Sequence, residues 1–270
     1  MHEKELKTAV KVACSAGGLL MKMSRGKLAI KFKSSIDMVT EADKASESLI
    51  IKAIRQAFPG DDIMTEESQN QRTSSKRRWI IDPLDGTTNY AHNFPVWCVS
   101  IAFEEKDQVM AGAIYNPNLN ELFTAVKGKG AYLNGKLIKV SSEKNLLKSL
   151  LATGFPYDVH TSPENNLENF QRFIKRAQAV RRPGSAAIDM AYLACGRFDG
   201  FWEIKLKPWD AASASLMISE AGGRITNFSG GRYSIYYPEC LASNGKIHSQ
   251  MLGVLNKSDG GGTIVSSSKS

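Results

Sequence analysis

The chain has 270 residues, 42% hydrophobic and 23% charged, a globular composition that excludes wholesale disorder and supplies enough apolar mass for a core without disulfide or metal staples. At about 150 residues per domain, this length means one large domain or two closely joined halves. The formal charge of +8 suits acidic or phosphorylated partners in general but names none.

The N-terminus intersperses charge with apolar residues (Glu3, Lys4, Glu5, Lys7, Lys11) and lacks the unbroken apolar core of a secretory signal. The longest apolar stretch, 96–102, is broken by Ser100 and falls far short of the roughly 18 residues of a membrane helix. The expected compartment is the cytoplasm. Cys14, Cys98, Cys195 and Cys240 stand at least 45 residues apart with no CxxC pair, so they are expected as free, mostly buried thiols.

Leu6, Val10, Ala13, Gly17 and Leu20 recur three to four residues apart and predict an amphipathic helix over about 4–23. An extended stretch follows near 28–33. Thr40 with Asp43 then has the form of a capping box, and Leu49, Ile50, Ala53, Ile54 and Phe58 give a second helix ended by Pro59-Gly60. Trp79-Ile80-Ile81 reads as a short buried strand, and 99–103, 110–115 and 121–126 follow at hairpin spacing, which predicts a mostly antiparallel sheet.

From residue 150 the pattern changes to alternating strands and helices. The expectation is a strand at 150–152 and a helix over about 163–177 with Leu167, Phe170 and Ile174 on one face. A helix opened by Gly184-Ser185 and reaching Cys195 comes next, then a strand at 198–204 and a helix begun by Asp210 and closed by Gly222-Gly223. A parallel or mixed second sheet fits this order. The division is an N-terminal α+β half over 1–149, a C-terminal α/β half over 150–256, and a Ser-, Gly- and Lys-rich tail over 257–270 that is too poor in apolar residues to fold.

Chemistry concentrates in Asp82-Pro83-Leu84-Asp85-Gly86-Thr87-Thr88-Asn89, directly after the apolar Trp79-Ile80-Ile81. A strand ending there delivers two carboxylates to one place, and crowded oxygen donors suit a hard cation such as magnesium better than zinc. Gly86 permits close backbone approach, and a helix opening at Gly86-Thr87 presents N–H groups to a phosphate. An Asp-Pro turn followed by an ordinary capped helix explains the same residues without any ligand. Glu66-Glu67 before the strand and Asp210 after Pro208-Trp209 are acidic positions that singly read as a solvated pair and a helix cap. The four histidines (His2, His92, His160, His248) are scattered and receive no role.

Taken together, Asp37 to Asp43, Thr65-Glu66-Glu67-Ser68, the 79–89 run, Gly184-Ser-Ala-Ala187, Lys207-Pro-Trp-Asp-Ala-Ala212 and Glu220-Ala-Gly-Gly223 resemble the inositol monophosphatase family over about residues 5–255. The resemblance implies a layered αβαβα sandwich of the α+β class, with a mostly antiparallel first sheet and a mixed second sheet. It implies a magnesium-dependent, lithium-sensitive phosphomonoesterase, usually a homodimer, acting on myo-inositol monophosphates through metal-activated water. By the same resemblance Glu66, Asp82 and the Leu84 carbonyl hold one Mg2+, Asp82, Asp85 and Asp210 a second, and Glu66 touches a weaker third. Asp43, Glu66 and Thr87 are the implied catalytic residues, with Asp43 and Thr87 orienting the attacking water. Gly86 and Thr87 bind phosphate. Asp85, Gly184, Ser185, Ala186, Glu203 and Asp210 line the substrate pocket, with Glu203 placed to accept sugar hydroxyls.

The stretch between the Glu66 segment and Trp79 is short and carries Arg72, Lys76, Arg77 and Arg78, a departure that bears on the third ion and on lithium sensitivity. Arg181, Arg182, Lys205 and Lys207 are candidates for a second phosphate, which keeps fructose 1,6-bisphosphate open beside histidinol phosphate and 3′-phosphoadenosine nucleotides. Nucleic acid is not an expected partner, because no aromatic-interleaved basic patch or recognition module is present. The alternative of another class is a regulatory binding protein of the transcription or ribosome machinery.

Overall fold

The computed structural model describes residues 2–25, 30–32, 38–68 and 75–256. Asp37, the 69–74 part of the basic stretch and the 257–270 tail therefore lie outside the described residues.

Small and branched residues at helical spacing give α1 (Glu3–Met23) a buried stripe of Ala9, Ala13, Ala16 and Leu20. After a two-stranded ribbon of β1 (Ile30–Phe32) and β2 (Met38–Thr40) comes α2 (Glu41–Ala57). Its first turn closes as the sequence predicts: Ala42 N–H donates to Thr40 Oγ1 at 3.1 Å and Thr40 N–H donates back to Asp43 Oδ2 at 2.8 Å.

A seven-stranded sheet follows in chain order: β3 (Asp62–Thr65), β4 (Arg77–Asp85), β5 (Cys98–Glu105), β6 (Gln108–Asn116), β7 (Glu121–Val126), β8 (Ala131–Leu133) and β9 (Lys136–Leu137). Only the β3–β4 pair is parallel. A short helix, α3 (Thr87–Ala91), joins β4 to β5. β4 is longer than its apolar centre suggests, because polar residues at both ends continue the ladder. Arg77 is half-buried: it donates to Asp61 at 2.8 Å and Glu5 at 2.9 Å and lies over the Phe103 ring. Arg78 donates to the Tyr236 hydroxyl at 2.8 Å. Two cations of the basic stretch before Trp79 are thus strand residues engaged in structural contacts.

The second half consists of β10 (Leu150–Thr153), α4 (Leu167–Ile174), β11 (Ala179–Arg181), α5 (Ala186–Ala194), β12 (Gly200–Ile204), α6 (Pro208–Glu220), β13 (Arg224–Thr226), β14 (Glu239–Ser243) and α7 (His248–Leu255). The sheet order is β11-β10-β12-β14-β13. It is parallel on the β10 side and antiparallel on the β14 side, hence mixed.

Alternation along the strands builds the layers. Trp79, Ile81, Val99, Ile101 and Phe103 face α1 and α2, while Ile114 and Phe123 face α5 and α6. Those two helices lie between the sheets, since Phe201 and Ala242 of the second sheet join the same cluster. Leu151, Trp202 and Leu241 point the other way, onto α4 and α7. The result is the αβαβα sandwich expected of an α+β chain. Among the described residues no helix is long and apolar enough to cross a membrane.

Three local expectations change. α4 is shorter than 163–177, and its buried residue is Phe173, stacked on Trp202 with ring centroids 4.0 Å apart. Leu167 and Ile174 are 50% and 44% exposed, because the aromatic pair, with more area to bury, sets the rotation of the helix. The strand expected from Phe198 begins at Gly200. Beyond Gly223, where the sequence reading placed nothing, β13, β14 and α7 complete the sheet and its cover.

Buried His248 caps this region. Thr226 Oγ1 donates to the Asn227 carbonyl at 2.7 Å, so it accepts from His248 Nε2 at 3.0 Å. Nδ1 is then left to accept from Ser243 at 2.9 Å. Burial, helped by Arg224, lowers the imidazole to about 4. A ring that stays neutral when folded supports stability at neutral pH and loses that support as pH falls from about 6.5 to about 4. The stability advantage of the wild type over His248→Gln is therefore expected to shrink across that window, by at most ~1.4 kcal/mol per pH unit, in denaturant titrations of both proteins. A constant advantage contradicts this assignment.

Candidate active site

The end of β4 is a bulge. Asp82 pairs with Ser100 and Asp85 with Cys98, so Pro83 and Leu84 together oppose Val99 alone. Pro83, with no N–H to offer a ladder, sits where the ladder is interrupted. Leu84 N–H donates to Asp82 Oδ1 at 3.0 Å, and Ser46 of α2 donates to the Pro83 carbonyl at 2.7 Å. The chain then turns at Gly86, whose φ of 95° and closeness to Val96 (a Cβ would stand 2.9 Å from its carbonyl oxygen) suit glycine alone.

Asp43, fully buried in the first turn of α2, lies directly below this turn. Thr87 Oγ1 is 2.9 Å from Asp43 Oδ1 and 3.1 Å from the Leu84 carbonyl. Thr40 Oγ1 donates to the other carboxyl oxygen of Asp43 at 2.6 Å. The implied Asp43–Thr87 pair is therefore in direct contact. Glu66 follows β3 in a segment tied down by Glu47, which accepts from Thr65 Oγ1 at 2.6 Å, from Glu67 N–H at 3.0 Å and from Ser68 Oγ. Sequence reasoning missed Glu47, because its partners Thr65, Glu67 and Ser68 lie about 20 residues further along the chain.

The second half contributes through α5 and α6. Ser185 caps α5, and its hydroxyl donates to Asp85 Oδ2 at 2.6 Å, with Ala187 N–H adding a bond of 2.8 Å to the same oxygen. Asp210 is the third residue of α6 and not its cap; it accepts from Lys207 N–H at 2.7 Å. Asn89 joins the halves, donating to Val96 and Pro183 carbonyls at 2.6 and 2.8 Å.

A cavity of about 290 Å3 is lined by Asp85, Gly86, Gly184, Ser185, Ala186, Glu203 and Asp210, and also by Gly154, Arg182 and Asp189. Of the four candidate cations Arg182 alone lines it; Lys205 is held by Asp158 at 2.6 Å. A larger hollow of about 680 Å3 lies elsewhere, beside Lys127, Ser219, Arg232 and Tyr237, and none of the candidate site residues reaches it. The candidate residues therefore gather at the smaller cavity.

Charge is the dominant feature of the site. Burial and then the negative charges of Glu66, Asp85 and Asp210 push the Asp82 carboxyl well above its ordinary range. Burial and then Asp85 act likewise on Asp210, and burial takes Asp85 to about 6 against the pull of its hydrogen bonds. Among the described residues no group of three or more His, Cys, Asp or Glu side chains is arranged to hold a metal ion as it stands. The carboxylates are instead separately pinned and mutually repelling. An all-oxygen, anionic donor set of this kind fits a hard divalent cation, with Glu66, Asp82, Asp85 and Asp210 able to hold it.

The inositol monophosphatase family model matches residues 1–259. The chain belongs to that family. It is 42% identical to an inositol monophosphatase of Dictyostelium discoideum over 91% of this chain and 92% of that one. It is 40% identical to the Nus factor SuhB of Escherichia coli K12 over 92% and 94%. The solved structure of inositol monophosphatase from Anabaena (Nostoc) sp. PCC 7120 superposes with a TM-score of 0.85 at 41% identity, covering 93% of this chain and 94% of that one. The protein is a phosphoric monoester hydrolase of a generally metal-dependent family.

Because the carboxyl of Asp82 holds its proton more tightly in the folded state, its favourable contribution exists at low pH and is lost as pH rises through the folded pKa. In chelator-treated protein Asp82→Asn, which keeps an acceptor for Leu84 N–H, is expected to be more stable than wild type at pH 7 by about 1–3 kcal/mol. The gain should fade towards pH 4 in denaturant titrations. A variant no more stable at pH 7 contradicts the charge-crowding account.

Proposed function

We propose that the protein hydrolyses myo-inositol monophosphates in a magnesium-dependent reaction. The observation that carries this reading is the set of mutually destabilised carboxylates at the end of β4, next to the Gly86 turn and a cavity of about 290 Å3. Glu66, Asp82 and the Leu84 carbonyl would hold one Mg2+, Asp82, Asp85 and Asp210 a second, and Glu66 a weaker third. Ions bound there offset charge on the phosphoryl oxygens and make water more acidic.

The chain's own groups supply the rest. Thr87, donating to Asp43, keeps oxygen lone pairs with which to accept a proton from the attacking water as it passes its own hydroxyl proton to the Asp43 carboxylate. The N–H groups of Gly86 and Thr87 bind the phosphate, and no covalent enzyme intermediate is needed. Ser185 and Ala187 fix Asp85 while Gly184 and Ala186 leave room for a ring. Glu203 accepts hydroxyls of the leaving alcohol. The same reading carries a cytoplasmic homodimer and lithium inhibition, checked by light scattering and by Li+ titration of turnover.

Phosphate release from inositol 1-phosphate, fructose 1,6-bisphosphate, histidinol phosphate and 3′-phosphoadenosine 5′-phosphate tests the proposal. Inositol 1-phosphate is expected to be preferred, with activity lost to chelator and restored by Mg2+. Asp82→Asn should lower turnover by at least about 100-fold with the fold intact. Glu203→Ala should impair inositol phosphate selectively. Full activity of Asp82→Asn sinks the assignment, and preference for the bisphosphate moves attention to Arg182. The E. coli relative is named a Nus factor, which supports a second reading as a regulatory binding partner. Stoichiometric capture of a partner regardless of metal, with no turnover on the panel, is its signature.

A further inference from the structure

Helix α5 reads Ala-Ala-Ile-Asp-Met-Ala-Tyr-Leu-Ala, and Asp189 is its one charged residue. The helix lies in the layer between the sheets, where Ile188, Met190 and Leu193 are core. Asp189 is 1% exposed, its Oδ1 has no hydrogen-bond partner, and the residue lines the same cavity as Glu203. A buried carboxyl left without donors weakens a fold that an apolar residue of the same size would strengthen. Packing therefore does not account for it, whereas an occupant of the cavity that brings hydrogen-bond donors does.

Glu203 is the second acid of this cavity wall. It is buried on β12, and no protein hydrogen bond offsets the effect of burial on its carboxyl. It stands against Gly154, where any Cβ would overlap the carboxylate. Glu203 and Asp85 act electrostatically on Asp189, and Arg182 is the cation felt by both Asp189 and Glu203. Two buried acids thus line one cavity. Such a wall offers acceptor oxygens to O–H donors, and two acceptors call for a ligand carrying more than one hydroxyl.

We infer that Asp189 is a specificity-determining residue, a second acceptor beside Glu203 for the hydroxyls of a polyol leaving group, with Gly154 a positioning residue that makes room for the Glu203 carboxylate. Locating the ester oxygen of that alcohol rests on the hydrolase reading above; recognition of the polyol does not.

The test uses the full chain in Mg2+ with two substrates, myo-inositol 1-phosphate and phenyl phosphate, whose leaving group has no further hydroxyl. Binding of free myo-inositol is followed separately by calorimetry. Asp189→Asn and Asp189→Leu are expected to raise KM for the inositol ester about 10-fold at little-changed kcat and to weaken myo-inositol binding. Phenyl phosphate kinetics should stay within about two-fold, and neither variant should melt below wild type. Gly154→Ala should show the same substrate split. A parallel loss on both substrates means a merely structural role and overturns the inference, as does unchanged inositol binding or a wild type that binds no polyol. A wild type that binds myo-inositol but releases no phosphate from any ester overturns the hydrolase reading and leaves this one standing.

Discussion

Like charges crowded into a poorly solvated place are the constraint around which this molecule is arranged. Asp82 and Asp85 arrive on one strand end, Glu66 on the segment after the neighbouring parallel strand, and Asp210 on a helix from the other half. Left to themselves these groups would turn away towards water or take up protons. Short, specific bonds prevent the first: Leu84 N–H on Asp82, Ser185 and Ala187 on Asp85, and Lys207 N–H on Asp210. The fold thus holds a repulsive arrangement that a bound cation would relieve, which is one way for a protein to store binding energy for an ion and its phosphate ligand.

The layering makes this possible. α5 and α6 lie between two sheets, so their N-terminal turns reach the β4 bulge from one side while α2 reaches it from the other. Asn89 bridges the two halves at Pro183. Residues distant in sequence are thereby fixed by short hydrogen bonds, the condition for holding a reacting group within a fraction of an ångström. The Gly86 turn and the Asp43–Thr87 contact belong to the same rigid unit.

Much of this was legible in the sequence because it is local. The Thr40–Asp43 capping box, the strand delivering Asp82 and Asp85, and the Ser185 cap each depend on neighbouring residues and appear where expected. What escaped depends on long-range placement. Glu47 looks like any helix-surface glutamate until the Thr65–Ser68 segment folds over it. Gly154 has no local signature, because its reason is the Glu203 carboxylate, 49 residues later. The roles of Arg77 and Arg78 were hidden because ion pairs with Asp61 and Glu5, and a bond to Tyr236, cannot be seen in one dimension. Asp189 escaped as well, because its meaning depends on the cavity that it lines.

On the function proposed above, the carboxylates of Glu66, Asp82, Asp85 and Asp210 are held apart for divalent cations. Anomalous diffraction from crystals equilibrated with Mn2+, an oxygen-seeking ion whose signal marks its own position, addresses it most directly. Density is expected among Asp82, Asp85 and Asp210, with a second position shared by Asp82 and Glu66. Crystals saturated with the ion that show no density among these four carboxylates would contradict it.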